Sequence, residues 1–595
     1  MNSKYLDSEK LYYAFISGAN RIIKQKNELN RINVFPVADS DTGTNLAFTM
    51  QTIIEETQMK DSAKQTMGSI ADASLTGARG NSGIIFAQFL NGLHLGLNDE
   101  KEITLTDFAE AVACAVMYAY KSISNPVEGT IISVMKDWSN SISLLKDRVT
   151  DFTQLFTISL EAATQSLKST REKLKILRDA SVVDAGGKGF VYFLEGITEY
   201  LLEVEVEETD YISADVEYED SGLHSNDTTD LSHRYCTEAL IKGEQIDLEM
   251  LRSNLMDLGE SLIVAGSPKK VKVHIHTNHP EILFDRLRDV GTIIQQKADD
   301  MVRQFESVHN RKHKIALVTD SIADLPKDLM DKHQIHMIPL NLLIGDSSYL
   351  DKITISPSYL YETMDDANNY PTSSQPTVKA VESYLKSIVP YYDSIIVITV
   401  SAKMSGTYDT IVNAAKKIDS TGKKIAVIDS KLNSGGQGLV VLKAAESIEK
   451  GIDFAEVIKT IYDTIEKTKI FVSVDTLKYM VRSGRIKKYA GLAAKILNLK
   501  PVVSINNIGD GIVIGKALSV KANTKKMKAL VKEISRTKKI VSYSIVHANT
   551  IDRANEYERI FSPIIGRKPE YITEISSIVA MNAGVGCVAI ALTTD

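Results

Sequence analysis

The sequence predicts a multidomain protein with an all-helical N-terminal part, a small α/β middle part and a larger α/β C-terminal part. Three observations predict it. At 595 residues the chain is too long for one core, and domains of ordinary size give roughly three or four. From residue 7 to about residue 202, apolar residues recur at helical spacing, as in Leu11, Phe15, Ile16, Ala19, Ile22 and Ile23, with Asp7 and Ser8 as capping candidates. From Lys314 onwards short apolar runs (Ile315–Thr319, Ile395–Val400, Lys424–Ile428) alternate with helical segments. Each run ends in a polar turn, as expected of an α/β domain whose largely parallel sheet gathers ligands at its strand carboxyl ends.

Composition bounds the function. A hydrophobic content of 44% and a charged content of 24% are those of a globular protein, and a net charge of −7 leaves no nucleic-acid footprint. No apolar run approaches the roughly 18 residues of a membrane span, and the first residues show no signal-peptide pattern, so a cytoplasmic protein is expected. The three cysteines, Cys114, Cys236 and Cys587, are widely spaced and form no disulfide framework.

Chemistry gathers first at Asn33-Val34-Phe35-Pro36-Val37-Ala38-Asp39-Ser40-Asp41-Thr42-Gly43-Thr44-Asn45, an apolar run that stops at two carboxylates and leads into a helical pattern. Asp39 and Asp41 stand two apart in a polar turn, where both could lean on one hard cation such as Mg²⁺. Gly43 would let backbone approach a ligand, and free N–H groups at the following helix start would favour phosphate. The same residues also suit an ordinary helix cap with a tight turn. A second Gly-rich turn, Leu75 to Gly83, precedes a helix expected from Ile84. Pro126 to Thr130 and Asp184 to Gly189 are two more polar turns.

These four turns, in order, resemble those of the FakA-type fatty acid kinases, whose signature reads Asn-Val-Phe-Pro-Val-Pro-Asp-Gly-Asp-Thr-Gly-Thr-Asn. Ala38 and Ser40 depart from it. The resemblance implies, over residues 1–202, a helical barrel like the ATP-binding domain of dihydroxyacetone kinase (DhaL-like), with ATP and a pair of Mg²⁺ ions at one end. It assigns Asp39 and Asp41 to catalysis and Mg²⁺, and Thr42, Thr44, Asn45, Gly80, Asn81, Ser82, Thr130 and Asp184 to the nucleotide. Phosphoryl transfer suits such a site, being mostly positioning and charge neutralisation.

Residues 203–230 hold eleven Asp or Glu and no Lys or Arg, which reads as an acidic linker. In the middle domain, 231–312, Val271 to Thr277 alternates as a strand and places His274 and His276 on one face, with Cys236 as the natural third ligand of a chelate. Two strand histidines beside a buried thiol is the alternative. The FakA middle domain shows a similar Tyr-Cys-Thr-Glu and His-x-His, and this resemblance implies Zn²⁺ on Cys236, His274 and His276, with water or His279 in a fourth position.

Residues 313–595 resemble the DegV family, which includes the FakB fatty acid binding proteins, at Val318 to Ser321, Thr372 to Pro376, Ser405 to Tyr408 and Ile428 to Ser430. The resemblance implies an α/β DegV-like domain that binds lipid: a fatty acid carboxylate on Ser373, Ser374, Ser405 and Gly406, and its acyl chain in an apolar tunnel. Where FakB proteins carry a head-group histidine this chain has Asn582, which hydrogen-bonds but carries no proton at neutral pH. The basic stretch Arg482 to Lys488 could dock the kinase surface, touch an anionic membrane transiently, or solvate a helix end.

The function so implied is a kinase and its acyl carrier in one chain: ATP phosphorylates a bound fatty acid to acyl phosphate. A homodimer is implied too, with room for a separate acyl carrier or acyltransferase. Two other readings stand beside it. One is a phosphotransferase acting on dihydroxyacetone or another small substrate. The other is a lipid-binding sensor without turnover.

Overall fold

The computed structural model describes residues 4–34, 41–99, 102–203, 232–366, 370–418, 422–485 and 499–595. Phe35 to Ser40, with Asp39, and nearly all of the acidic 203–230 stretch lie outside the described residues, as does Ile486 to Lys488. The chain divides into two compact units, Met1–His279 with Arg286–Asp299, and Pro280–Asp285 with Asp300–Asp595.

Among its described residues the first unit begins with ten helices: α1 (Ser8–Lys24), α2 (Lys26–Arg31), α3 (Thr42–Glu56), α4 (Ala63–Gly77), α5 (Gly80–Gly96), α6 (Leu105–Ser122), α7 (Ile131–Leu145), α8 (Phe152–Lys173), α9 (Lys175–Asp179) and α10 (Ala185–Leu201). Asp7 caps α1 by accepting from Lys10 N at 2.8 Å, as its position predicts. Helices α1, α3, α4, α5, α6, α7, α8 and α10 each pack on the next, and α10 returns to α1, so the helices close into a barrel. Its core stacks aromatic rings edge to face, among them Phe86, Phe89, Phe108, Trp138, Phe152 and Phe190.

A four-stranded sheet follows, β1 (Tyr235–Lys242), β2 (Gly259–Ser267), β3 (Lys270–Thr277) and β4 (Thr292–Asp300), in the order β2-β3-β1-β4. It belongs to the same core as the barrel: Leu240, Ile263 and Ala265 are buried with the helical residues. Gly266 N donates to Gln88 Oε1 at 2.7 Å, and Asn91 Nδ2 donates to Gly266 O at 3.0 Å. Its helix Leu248–Leu255 is capped by Asp247 and completes an α/β middle region.

The second unit contains β5 (Ile315–Asp320), β6 (His336–Ile338), β7 (Asn341–Ile344), β8 (Ser347–Leu350), β9 (Thr372–Ser374), β10 (Ser394–Thr399) and β11 (Lys424–Asp429). It continues with β12 (Thr468–Ser473), β13 (Val502–Ile505), β14 (Gly511–Gly515), β15 (Ile540–His547), β16 (Ile572–Glu574) and β17 (Val588–Thr594). The sheet β11-β10-β5-β6 is parallel, as the alternation of strands and helices predicts. The six-stranded sheet β14-β13-β12-β17-β15-β16 is different. Only β15 and β16 run parallel, because the C-terminal strand β17 inserts antiparallel between β12 and β15 and β13–β14 is a hairpin. The helix Ser434–Glu449, buried along most of its length, packs on strands of both sheets.

Candidate functional site

In the first unit, four helix N-termini meet at one end of the barrel. Gly80, at φ +60°, turns the chain into α5, and a Cβ there would lie 2.6 Å from Asn45 Nδ2 of α3. Gly186, in the first turn of α10, is equally tight against Ser82 of α5: a Cβ would meet Ser82 Oγ at 2.8 Å. Asp184, the N-cap of α10, accepts from Gly187 N at 2.7 Å and from a backbone N–H of Ile131, the first residue of α7. Burial pushes the Asp184 carboxyl up to about 6 against those two hydrogen bonds. Asn81 Oδ1 is buried with no hydrogen-bond partner among the described residues. The end of the barrel therefore collects backbone N–H groups and polar side chains where an anion could be held.

Several expectations change in detail. The Gly80–Gly83 and Asp184–Gly189 stretches are first helical turns rather than loops preceding a helix, with α5 starting at Gly80 and not at Ile84. Their glycines serve close helix packing: Gly187 abuts Val134, and Gly189 abuts Leu46. Gly43 is required by a helix crossing, because a Cβ there would lie 2.1 Å from the Lys26 carbonyl oxygen of α2. Thr44 is held by Asn30, whose Oδ1 accepts from Thr44 N and whose Nδ2 donates to Thr44 Oγ1, both at 2.9 Å. Thr42 is buried in the first turn of α3. Thr130 is the N-cap of α7 and donates its hydroxyl to Val127 O at 2.8 Å. Asp41 is the N-cap of α3, and its side chain makes no capping bond.

The middle sheet carries a second cluster. Its β1–β3 ladder pairs Cys236 with His276 and Glu238 with His274, so these residues and Lys272 share one face. The ligand atoms of Cys236, His274 and His276 lie within 4.8 Å of one another, and Cys236 Sγ is 3.9 Å from His274 Nδ1. His279 is not part of this trio; it sits at the start of the next helix. His274 Nε2 is buried and unpartnered among the described residues. Burial pushes His276 down to about 3, helped by His274 and His233, and pushes the Cys236 thiol well up, with Lys297 opposing. Burial would also raise the Glu238 carboxyl, but Lys272, His274 and Lys297 outweigh it and hold it well below the usual carboxylate range. Lys297 and Cys236 both feel the Asp41 carboxylate, which places this face of the sheet beside the start of α3.

In the second unit, a cavity of about 300 Å³ opens at the strand ends. Ser373, Ser374, Gln375, Ser405, Gly406 and Asn582 form a polar end, and aliphatic residues such as Leu340, Ile470, Val503 and Val546 line the rest. Two turns far apart in sequence meet there, because Gln375 Oε1 lies 1.9 Å from where a Gly406 Cβ would stand. Ser405 and Thr407 share a hydrogen bond at 2.8 Å between hydroxyls. Asn582 donates to Ile578 O at 2.6 Å, which fixes its amide and leaves Oδ1 buried without a partner among the described residues. Arg485, exposed within the basic stretch, also lines this cavity, and spacing gave no sign of it. A buried Asp320, pushed up to about 6 by burial, anchors the floor by accepting from Val400 N at 2.7 Å and Gln437 Nε2 at 3.0 Å.

Comparison with known proteins follows the same division. A DAK2 domain model matches residues 36–199, a model of the FakA-like middle domain of fatty acid kinase matches 232–308, and a model described as uncharacterised protein, DegV family, matches 314–595. The first two belong to a kinase-type family. Protein YloV of Bacillus subtilis is 33% identical over 331 residues, 53% of this chain and 59% of that protein. An uncharacterised protein of Staphylococcus epidermidis is 34% identical over 306 residues, 49% and 55% respectively, so the chain spans little more than half the length of these two relatives. Another from the same species is 28% identical over 499 residues, 81% and 88%. Among solved structures, DegV of Bacillus subtilis, a fatty acid binding protein, is 26% identical, covering 48% of this chain and all of that one, with a TM-score of 0.43. A fatty-acid-binding DegV family protein of Thermus thermophilus is 24% identical, covering 47% and 100%, with a TM-score of 0.44.

Proposed function

We propose, for a chain that joins a DAK2 domain, a FakA-like middle domain and a DegV domain, that it phosphorylates a bound fatty acid with ATP. The product is an acyl phosphate. The observation that carries the reading is an apolar cavity ending in hydroxyls, in a chain whose helical barrel gathers four helix N-termini at one end. The cavity's apolar walls suit an acyl chain. Its Ser373, Ser374 and Ser405 hydroxyls suit a carboxylate, which hydroxyls orient without the tight grip of an arginine fork.

A fatty acid carboxylate is already deprotonated at neutral pH, so its oxygen attacks the γ-phosphorus without a general base, and the bond to the β–γ bridging oxygen breaks to release ADP. In the barrel, the α5 and α10 starts and Asn45 orient the phosphates, and Asp39 and Asp41 would hold Mg²⁺, which supplies charge neutralisation to phosphoryl transfer. The Asp41 carboxylate, not spent on capping α3, fits that role.

Cys236, His274 and His276 fit Zn²⁺: they supply one thiol and two imidazoles, and His276 is held neutral as a ligand must be. The site is then closed to one remaining position, for water or another ligand. Extraction of the purified chain followed by mass spectrometry tests the lipid half of the reading. A fatty acid in near one-to-one yield supports it, and a lipid-free chain that takes up no added fatty acid removes it.

A second reading, a lipid-binding sensor without turnover, draws on one observation: Gly80 N and the Thr44 hydroxyl already have protein partners, Glu238 and Asn30. ATP consumption that depends on added fatty acid decides against it.

A further inference from the structure

We propose that Glu238 is a positioning residue that couples the Cys236, His274 and His276 site to the Gly80 turn, so that metal at one lowers nucleotide affinity at the other. This rests on the reading of those two sites given above.

Glu238 is 1% exposed, on β1, and one oxygen serves both sides. Its Oε1 accepts from Gly80 N at 2.7 Å and lies 3.7 Å from His274 Nδ1, while Oε2 pairs with Lys272 Nζ at 3.2 Å. A buried carboxylate of this kind is costly unless each lone pair has work, and here its partners are one metal-type imidazole, one lysine and one amide of the nucleotide end. The amide is the one that a phosphate would otherwise seek at the α5 start.

The contacts give the coupling a direction. His274 Nδ1 also faces Cys236 Sγ at 3.9 Å, so a metal held by that nitrogen takes it away from Glu238 Oε1. Oε1 is then left to the Gly80 amide. Gly80 cannot absorb the change locally, because it stands at φ +60° with Asn45 Nδ2 in the place of a Cβ. His274, Glu238, Gly80 and Asn45 thus form an unbroken run of contacts from the metal trio to the start of α3. Metal at the trio therefore leaves the Gly80 amide in the hold of Glu238 and away from an incoming phosphate, and by reciprocity nucleotide loosens the metal.

The test is calorimetric titration of the full chain with a non-hydrolysable ATP analogue and excess Mg²⁺, after zinc loading and after chelation with Mg²⁺ restored. Bound zinc is counted by atomic emission. The wild type is expected to bind the analogue about fivefold or more tightly once stripped of zinc, a typical coupling, and E238Q to bind it equally with and without zinc. E238Q/K272M, which removes both charges of the buried pair, serves as the folded control if E238Q melts early. Equal linkage in the variants and the wild type would overturn the proposal, as would a wild type that binds both ligands without linkage. A wild type that binds no analogue or no zinc would overturn it together with the site reading beneath it.

Discussion

Cys236 and His276 face each other directly across the β1–β3 ladder, with His274 two residues along the same face. A pairing of this kind sets a thiol and two imidazoles at chelating distance without any loop to order, so metal affinity should depend on the strand register itself. The chain is expected to hold about one Zn²⁺ per molecule by atomic emission. A His274→Ala, His276→Ala double variant should hold none, and its middle sheet should lose hydrogen-exchange protection. A wild type prepared without chelators that is metal-free yet fully protected would remove zinc from the account.

Gly406 is glycine because Gln375 fills its side-chain space. Gly406→Ala should push the exposed Gln375 side chain off the Ser405 turn at little cost in stability, since the clash is with the far end of a flexible side chain. The displacement falls on the polar end of the cavity. Fatty acid retained through purification, measured by mass spectrometry, should drop several-fold while the circular dichroism spectrum is kept; unchanged retention would place the carboxylate elsewhere.

Asp184 gives a signed pH dependence. Its carboxyl titrates near 6 in the folded chain, raised by burial, and near 3.8 when unfolded, so between those values the native state holds more protons. Stability is therefore lost as pH rises through that window, by about 3 kcal/mol once pH exceeds 6. Asp184→Asn keeps an acceptor for Gly187 N and removes the ionisation. Urea midpoints read by the single tryptophan, Trp138, should show the variant matching the wild type near pH 4 and exceeding it above pH 6. A constant difference across that range would contradict the assignment. The variant should also bind nucleotide more weakly, since a strained buried group at a site is a usual source of such cost.

The parts of this molecule that repeat locally could be read from sequence. Helical spacing marked the helices of the first domain, period two put His274 and His276 on one face, and the β5, β10 and β11 runs announced the parallel sheet. What depends on distant partners could not. Strand β17 enters its sheet between β12 and β15, so the antiparallel order is set by long-range pairing. Glu238 and Gly80 are 158 residues apart, and nothing in either neighbourhood announces their hydrogen bond. Gly43 shows a third limit: a glycine forced by a helix crossing and one forced by a ligand look the same in sequence.

On the proposed function, one chain both holds a fatty acid and phosphorylates it. Acyl phosphates react with hydroxylamine to give stable hydroxamates, so purified chain carrying its fatty acid can be incubated with ATP, Mg²⁺ and hydroxylamine and the product read by mass spectrometry. The expected product is a fatty acyl hydroxamate that requires ATP and disappears in Asp41→Asn, whose fatty acid content is unchanged. Fatty acid bound in full, with no hydroxamate formed by the wild type, or the same yield from Asp41→Asn, would contradict it.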